Sequence, residues 1–308
     1  MKRFYKCYII SFMNKLKKLI KDPLIIPKII FLNRNTKNMS DERYLRKYYY
    51  YRTGLKLDLD NPERFNEKMQ WLKLHDRKDV YTEMADKFSV KEIVCKRAGA
   101  KYVIPLLGVW SSPEEIDYDN LPGSFVLKTT HDCGGVIVCK DKNSFDRRKA
   151  AEFLRSHLEN DYYETCREWP YKNIPPRIIA EKYMKDTDKD YLPVYKFFCF
   201  NGIPKIIQVI QNDKQPDESI DYYDRNWNFL DLRQNFPNSS EHLPRPQKLD
   251  EMLDIAELLA DGKNFIRVDL YVINGYVYFS EFTFFSDAGF ERFYPDEWDY
   301  TLGKWIDL

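Results

Sequence analysis

Three charged residues interrupt an otherwise apolar segment, RVDLYVINGYVYFSEFT, which spans residues 267–283 of this 308-residue chain. They are Arg267, Asp269 and Glu281. Two carboxylates that project into a cleft could hold Mg²⁺, a hard ion that takes one or two protein carboxylates together with substrate phosphates. The alternative interpretation is an ion pair between Arg267 and one of the acids at the edge of a sheet, and the rest of the chain must decide between the two.

The segment is predicted to form a β-hairpin, because Asn274 and Gly275 are a strong turn signal and the flanking residues favour strands. Side chains alternate between the two faces of a strand, so the turn decides which polar residues meet. A two-residue loop would place Asp269 opposite Ser280 and would send Glu281 to the other face of the hairpin.

A three-residue loop at 273–275, with glycine in the left-handed bulge position, would instead gather the polar side chains on one face. Arg267 would pair with Glu281, Asp269 would lie diagonally beside them, and Thr283 would share their face. The opposite face would be apolar, with Val268, Leu270, Val272, Tyr276, Tyr278 and Phe282. This separation of polar from apolar residues favours the three-residue loop.

The composition predicts a globular protein with a substantial core. The chain is 44% hydrophobic and 16% aromatic, and its net charge of +1 argues against a general nucleic-acid-binding protein. Its six cysteines show no Cys-x-x-Cys spacing and follow no cleavable signal. A disulfide framework or a zinc site is therefore not expected, and a reducing, cytoplasmic location fits best.

Residues 1–38 differ from the rest of the chain in charge. They contain ten Lys or Arg residues against the single acid Asp22, so this basic N-terminal arm carries +9 and the remainder −8. Its apolar runs, such as LIIPKIIF, are far shorter than the ~20 residues that span a bilayer. The pattern suits peripheral contact with the inner face of an anionic membrane or with a membrane-bound partner. A solvated tail with one helix packed on the body is the alternative.

Residues 39–100 are predicted to form a helical N-terminal region. The first helix is expected to begin after an N-cap at Ser40 and to end at Gly54. The second is expected to begin at Asn61 with Pro62 in its first turn, and a further helix is expected to end at Gly99.

Two α+β units are predicted to follow. The smaller, residues 101–187, combines short strand-forming runs such as SFVLKTT and RIIAEKYM with the helical run FDRRKAAEFLRSHLEN. The larger, residues 188–308, is predicted to be antiparallel, with a turn at Asn201 and Gly202, the helix KLDEMLDIAELLADG and the charged hairpin.

The sequence lacks the usual phosphate-binding motifs, since it has no glycine-rich dinucleotide turn after a strand and no P-loop. The stretch FVLKTTHDCGG instead predicts a strand that ends at Lys128 and a polar loop that runs to Gly134 and Gly135. A lysine beside exposed loop amides could bind nucleotide phosphates. A plain hairpin loop is the more frequent cause of such a pattern.

Two further charged residues occupy apolar strands. Glu181 ends the strand RIIAEKYM at the junction of the two units, and a crevice between units is a common place for a ligand. Lys196 lies within the strand YKFFCF, and a lysine there is rarely buried without a charged partner.

These residues, taken in order, resemble the ATP-grasp superfamily of carboxylate-amine ligases, and more closely its TupA-like branch, which is associated with teichuronopeptide and other cell-surface polysaccharide synthesis. The similarity runs from about residue 60 to 287 through NPERFNEKMQWLKL, ADKFSVKEIV, FVLKTTHDCGG, AEKYM, YKFFCFNG and RVDLYVINGYVYFSEFTF. It implies an α+β ATP-grasp fold in which two α+β subdomains grip ATP, preceded by the helical region.

The resemblance also implies roles for the site residues. Lys128 would touch the phosphate and adenine of ATP, and Glu181 would lie at the adenine hinge. Asp269 and Glu281 would ligate Mg²⁺. Arg267 would stabilise the charge of an acyl phosphate and of the tetrahedral intermediate.

The remaining site positions match the family less closely. Lys87 is assigned to nucleotide binding and Lys196 to catalysis. Thr283 stands where many ATP-grasp enzymes have an asparagine two residues after the glutamate, and its hydroxyl could still ligate Mg²⁺. The loop residues His131, Gly134 and Gly135, together with Asp132 and Cys133, are expected to lie over the phosphates.

The function expected from the resemblance is ATP-dependent amide-bond formation between a uronic acid of a surface glycan and an amino acid or amine. A nucleotide-sugar glycosyltransferase is the alternative, because two Asp-x-Asp patterns occur, at Asp58 and Asp60 and at Asp186 and Asp188. A third class is a non-catalytic carbohydrate-binding protein, since 23 Tyr, 20 Phe and 6 Trp could stack on sugars. Nucleotide preference separates the three.

Overall fold

The computed structural model describes residues 31, 36–187, 192–212, 215 and 217–308. The chain divides into two compact units, Met1–Asp60 and Asn61–Leu308. In the part of the chain that is described, no helix is long and apolar enough to cross a bilayer. The predicted membrane contact of the arm falls almost entirely on residues outside the described ranges.

The described part of the first unit is built around helix α1 (Asp41–Thr53). As predicted, the helix follows Ser40 and ends at Gly54, whose left-handed φ of 76° lets its N–H donate to the carbonyl of Tyr50. One face of the helix is buried, and it consists of Tyr44, Leu45, Tyr48 and Tyr49.

The second unit contains the helices α2 (Phe65–His75), α3 (Asp79–Ala85), α4 (Val90–Arg97), α5 (Arg147–Leu158), α6 (Tyr162–Cys166), α7 (Leu249–Ala260) and α8 (Glu297–Gly303). The prediction that a helix begins at Asn61 is wrong, since α2 begins four residues later. The Glu67 carboxylate accepts hydrogen bonds from the backbone N–H groups of Glu63 and Arg64, both at 3.1 Å. These bonds hold the chain before Phe65 outside the helix and satisfy two otherwise unpaired donors.

A four-stranded antiparallel sheet is formed by β1 (Leu106–Trp110), β2 (Phe125–Thr129), β3 (Val136–Cys139) and β4 (Ile178–Lys182), in the order β1-β4-β2-β3. One face of this small sheet packs on α5 through a core that includes Phe125, Leu127, Leu154, Ile178 and Ala180. Because side chains alternate along β2, Val126 and Lys128 lie on the other face.

A six-stranded antiparallel sheet is formed by β5 (Val194–Phe200), β6 (Ile203–Gln211), β7 (Ser219–Asp224), β8 (Phe229–Leu230), β9 (Phe265–Ile273) and β10 (Tyr276–Thr283). Their order is β10-β9-β5-β6-β7-β8. Helix α7 packs on this large sheet through a core that includes Ala256, Leu259, Phe197 and Val268. The predicted α+β class after an N-terminal helix is therefore confirmed, and both sheets are antiparallel.

The predicted three-residue loop of the charged hairpin is wrong. Strand β9 ends at Ile273 and β10 begins at Tyr276, so only Asn274 and Gly275 form the turn, with φ of 51° and 78°. The extra residue lies further along, where a bulge at Ser280 shifts the register between Phe279 and Glu281. An unpaired residue there changes the face of every residue that follows it in β10.

The bulge sets the pairing of the polar residues. Glu281 lies opposite Asp269, and Thr283 lies opposite Arg267. The four residues share one face as predicted, but the predicted pairing of Arg267 with Glu281 is wrong. The apolar face consists of Val268, Leu270, Val272, Val277, Phe279 and Phe282, and the two tyrosines predicted for it, Tyr276 and Tyr278, lie on the other face.

Candidate active site

A cavity of about 240 Å³ is lined by residues of both sheets and of helix α4. It brings together residues that the sequence places far apart, and six of the predicted site residues line it: Lys87, Lys128, Glu181, Lys196, Asp269 and Glu281. A second cavity of about 310 Å³ also contains Lys128 and Glu181 and continues along the segment 182–186. The two cavities form an elongated site with charged side chains at one end and a backbone segment at the other.

Glu181 is the central group on the small-sheet side of the cavity. It is only 7% exposed, and its carboxylate contacts the ammonium groups of Lys91, from α4, and of Lys128, the latter at 2.6 Å. Burial by itself would raise the pKa of Glu181, but the two neighbouring lysines outweigh burial and hold the pKa below its usual value. Burial likewise lowers the pKa of Lys91, while Glu181 more than compensates for burial at Lys128 and raises its pKa.

We expect Glu181→Gln to lower the free energy of unfolding by about 3 kcal/mol, because it leaves two poorly solvated ammonium groups without their counter-charge. The folded pKa of Glu181 is depressed, so its contribution is fully present above the pKa of an unfolded glutamate. It is lost as the pH falls through the folded pKa. Urea unfolding of the wild type and of Glu181→Gln, at pH 7 and at acid pH, measures this difference in the free energy of unfolding.

Glu92→Gln is the matched control, because Glu92 forms an exposed ion pair with Lys96 on the same helix. Exposed pairs of this kind contribute little to stability, because water and salt screen them. Equal stability of Glu181→Gln and Glu92→Gln at pH 7 would contradict a structural role for the Glu181 carboxylate.

Three neighbouring strands of the large sheet place charged side chains side by side. Lys196 on β5 and Glu281 on β10 both lie opposite Asp269 on the central strand β9. The Lys196 ammonium is 3.6 Å from Oδ2 of Asp269. Asp269 is almost fully buried, whereas the side chain of Glu281 is 44% exposed. The row therefore carries one ammonium group beside two adjacent carboxylates, and it faces the cavity.

Arg267 lies one pleat away and binds Asp269 with both ends of its guanidinium. Its Nε and Nη2 donate to the two carboxylate oxygens at 2.7 and 2.8 Å, and Nη1 donates to Oγ of Ser286 at 3.1 Å. Glu281 is more distant, at 3.8 Å from Nη2. Burial would lower the pKa of Arg267, but the adjacent carboxylates raise it, so the guanidinium stays charged.

The residues at this face fit Mg²⁺ in part. Among the described residues there is no cluster of three or more His, Cys, Asp or Glu side chains that could hold a metal alone. Mg²⁺ is usually held by one or two carboxylates, and phosphate oxygens and water complete its coordination. Asp269 and Glu281 can supply the two carboxylates from adjacent strands. Arg267 occupies only part of the lone-pair capacity of Asp269. Thr283 lies opposite Arg267 and does not line the cavity.

The loop between β2 and β3 is held from inside by Asp132. Its carboxylate contacts the hydroxyl of Thr129 and Nδ1 of His157, and its carbonyl accepts a hydrogen bond from Nζ of Lys87 at 2.5 Å. A Cβ at Gly135 would lie 1.7 Å from Oγ1 of Thr129, so no larger residue fits there. The loop is thus a fixed support for Lys87 at the wall of the cavity.

Three of the residues predicted to bind nucleotide do not line the cavity: His131, Gly134 and Gly135. The side chain of His131 is buried, and burial lowers its pKa. Arg267 also lies outside the cavity lining, behind Asp269. The roles assigned to these residues stay predictions.

The sequence did not single out two residues of the site, Lys91 and Ser286. Lys91 is one of several basic residues on a charged helix, and only its contact with Glu181 distinguishes it. Ser286 is the first polar residue after TFF at the end of the hairpin, which is a signal that could have drawn attention to it.

The described acids of the Asp-x-Asp patterns do not lie on the strands that carry the charged row. Asp186 accepts a hydrogen bond from the backbone N–H of Asn274 at 2.8 Å and so supports the hairpin turn, while residue 188 is outside the described ranges. Asp58 accepts a hydrogen bond from the backbone N–H of Asp60 at 3.0 Å, as in a local turn.

Comparisons with known proteins agree with this architecture. Residues 67–307 match the sequence model of a family described as TupA-like ATPgrasp. No curated protein matches the chain. The ATP-grasp fold implied by the sequence is confirmed.

Similar solved structures include three enzymes. D-alanine–D-alanine ligase from Bacillus anthracis, complexed with ATP, is 18% identical, with 70% of this chain and 56% of that chain covered and a TM-score of 0.38. L-amino acid ligase from Bacillus licheniformis is 12% identical, with 73% and 49% covered and a TM-score of 0.44. N5-carboxyaminoimidazole synthetase from Staphylococcus aureus is 14% identical, with 65% and 44% covered and a TM-score of 0.34. The chain spans about half the length of these structures.

Proposed function

Since the chain belongs to the TupA-like ATP-grasp family, we propose that it is an ATP-dependent carboxylate-amine ligase that acts through an acyl phosphate. The observation that carries the proposal is the row of Lys196, Asp269 and Glu281 facing Lys128 and Glu181 across one cavity. Such an arrangement offers cations for phosphate oxygens and carboxylates for a divalent ion within a single site.

In the proposed reaction, a substrate carboxylate oxygen attacks the γ-phosphorus of ATP, the bond to the β-phosphate oxygen breaks, and ADP leaves. An amine nitrogen then attacks the acyl carbon, a C–N bond forms, and the C–O bond to phosphate breaks. Inorganic phosphate leaves with the electron pair, and the nitrogen loses a proton. Bound Mg²⁺ would neutralise charge on the transferred phosphoryl group.

The residues of this chain supply binding and electrostatic stabilisation in that reaction. Lys128, held by Glu181, would bind the nucleotide, and the second cavity along 182–186 offers space for the base. Lys87 and Lys196 place positive charge at the cavity wall for phosphate oxygens. Arg267 is fixed by Asp269 and Ser286, so it can stabilise the developing oxyanion without reorganising.

For the substrates, we propose a uronic acid of a cell-surface polysaccharide as the acid and an amino acid or other amine as the nucleophile. The resemblance to the branch associated with teichuronopeptide synthesis supports this choice. The proposed location is the cytoplasm, at the inner face of the membrane, and no nucleic-acid partner is proposed.

The experiment that tests the proposed function is a nucleotide panel read by melting temperature. ATP with Mg²⁺ is expected to stabilise the protein, because a ligand that binds only the folded state raises its stability. UDP-glucose with Mg²⁺ is the comparison for the glycosyltransferase alternative. Stabilisation by the nucleotide sugar alone, or by neither compound, would contradict the proposal.

The basic arm supplies a separate prediction. Deleting residues 1–38 is expected to abolish sedimentation with vesicles that contain anionic lipid, because the arm carries +9 of charge and short apolar runs. Binding of ATP in solution should be unchanged. Equal vesicle binding by the full chain and the shortened chain would refute peripheral contact through the arm.

A further inference from the structure

Glu168 is a buried carboxylate that the proposed chemistry has not used. The residue is only 3% exposed. Within the part of the chain that the structure describes, its carboxylate makes no hydrogen bond or ion pair, and its interactions there are longer-range electrostatic ones. The charged form of a group in such a place is costly, so a cationic ligand beside it would favour that form.

The backbone around Glu168 is fixed by other residues. Lys73, fully buried, donates hydrogen bonds from Nζ to the carbonyls of Cys166 at 2.9 Å and Ala288 at 2.8 Å. Its ammonium also lies 4.3 Å from the centre of the Phe290 ring. Lys73 therefore joins the segment before Glu168 to the loop after β10, and its hydrogen bonds go to backbone carbonyls rather than to Glu168.

The electrostatic neighbours of Glu168 include a residue of the active site, Arg267. They include Arg267 and Lys73, which favour its ionised form, and Asp287, which opposes it. Tyr162 and Tyr171 also interact with the Glu168 carboxylate, and their rings are 4.7 Å apart in an edge arrangement. The Glu168 carboxylate thus interacts electrostatically with the guanidinium proposed to stabilise the acyl phosphate and with a second acid. The hydrogen bonds of Lys73 tie the backbone two residues before Glu168 to the loop that carries this acid.

Asp287 is the second acid, and its backbone conformation is strained. Asp287 and the next residue both have left-handed φ, of 48° and 52°, although neither is glycine. Strain of this kind persists where the surroundings fix it, and it is frequent at functional sites. Here Oγ of Ser286, which accepts from Arg267, also donates to Oδ2 of Asp287 at 3.3 Å. The Asp287 side chain is exposed but tied to the Arg267 guanidinium through one hydroxyl.

We propose that Glu168 and Asp287 bind the ammonium group of the amine substrate beside Arg267. The inference rests on the proposed ligase function and specifies the nucleophile as a primary amine that arrives positively charged, such as an amino acid. Two carboxylates around one ammonium give charge-assisted hydrogen bonds, and the neighbouring tyrosine rings offer a surface for a cation.

The ionisation of Glu168 agrees with this site. Burial raises the pKa of the Glu168 carboxyl to about 7, and Lys73 and Arg267 offset only part of that effect. Without a ligand the group is thus partly protonated at neutral pH, and an ammonium ion would favour its charged form.

The test uses the full chain with Mg²⁺ and the non-hydrolysable ATP analogue AMP-PNP. Each of the common L-amino acids is added beside its N-acetyl derivative, which lacks the ammonium group, and the melting temperature is followed against concentration. We expect at least one free amino acid to stabilise the wild type more than its acetylated form. Glu168→Gln should weaken that binding roughly 10- to 100-fold and leave the effect of AMP-PNP unchanged.

Two further variants complete the design. Asp287→Asn, at an exposed position, should weaken amine binding by a smaller factor and keeps the test decisive if Glu168→Gln folds poorly. Glu152→Gln, which removes a carboxylate from the exposed face of α5, should change the binding of neither AMP-PNP nor the amino acid. Equal amine affinity in the wild type, Glu168→Gln and Asp287→Asn, or stabilisation by AMP-PNP but by no free amino acid, would overturn the site. If AMP-PNP itself has no effect, the proposed function fails as well.

Discussion

Glu281→Gln is expected to reduce turnover on the order of 10³-fold, about 4 kcal/mol of transition-state stabilisation, with little change in stability. Glu281 faces the cavity from β10 directly opposite Asp269, and its side chain is 44% exposed. Glutamine keeps the shape but removes the charge that would hold Mg²⁺. Because Glu281 is 3.8 Å from Arg267, its replacement leaves no tight ion pair broken.

Asp269→Asn addresses the same ion but is a less selective variant. Asp269 binds Arg267 through two hydrogen bonds, so asparagine also leaves a buried guanidinium without its counter-charge. We expect loss of activity together with a lower melting temperature for Asp269→Asn, and loss of activity alone for Glu281→Gln.

The measurement is the rate of ADP release as a function of Mg²⁺ concentration. For Glu281→Gln, the concentration needed for half-maximal rate should rise, since one ligand of the ion is weakened. Glu152→Gln on the exposed face of α5 serves as the control. A Mg²⁺ dependence of Glu281→Gln identical to that of the control would remove Glu281 from the metal site.

Arg267→Lys is expected to lower kcat on the order of 10² to 10³-fold while ATP affinity stays near the wild-type value. The guanidinium donates through separate nitrogens to Asp269 and Ser286, which fixes its plane. A lysine keeps the charge but cannot reproduce this fork, so it cannot present a donor in the same orientation to the oxyanion. The expected loss is therefore in the chemical step.

Calorimetric titration with ATP, beside the rate of ADP release, separates these effects. Arg225→Lys is the matched control, because Arg225 forms an exposed ion pair with Glu257 and neither residue lines the cavity. Near-normal turnover of Arg267→Lys, or a loss confined to ATP affinity, would return Arg267 to the role of a structural counter-ion for Asp269.

Local signals in the sequence were sufficient where the structure depends on local contacts. Helix α1 begins after Ser40 and ends at Gly54, as the cap residues predict. Helix α2 does not begin at Asn61, because the side chain of Glu67 binds backbone N–H groups ahead of the helix. That competition between a capping side chain and helix propagation was not visible in composition alone.

The charged hairpin shows where pattern reasoning succeeds and where it fails. In a regular hairpin with a two-residue turn, Asp269 and Glu281 would lie on opposite faces. One additional residue between them puts both on the same face, and the alternation of polar and apolar residues indicates that such a residue is present. It does not reveal where the extra residue lies, since a longer turn and a bulge at Ser280 place the downstream charges on the same face. The bulge decides the pairing, and it also moves the tyrosines to the other face.

The parts of the site that depend on distant contacts were not predictable from spacing. Lys91 joins Glu181 across 90 residues of sequence, and the segment YETCREWPYK around Glu168 contains no recognisable motif. The roles of Lys91 and Glu168 depend on their burial and on residues that become their neighbours only when the chain folds. A single sequence identifies charged residues in apolar strands, but not which of them lie together.

The central claim, an acyl phosphate formed from ATP, is tested most directly by following oxygen. A hexuronic acid labelled with ¹⁸O in its carboxylate is incubated with the protein, ATP, Mg²⁺ and an amine, and the released phosphate is analysed by mass spectrometry. Because the carboxylate oxygen that attacks the γ-phosphorus leaves with phosphate, we expect one ¹⁸O atom in each phosphate released by the wild type. Over the same time, Glu281→Gln should release about 10³-fold less labelled phosphate. Amide formation with release of unlabelled phosphate would contradict the account.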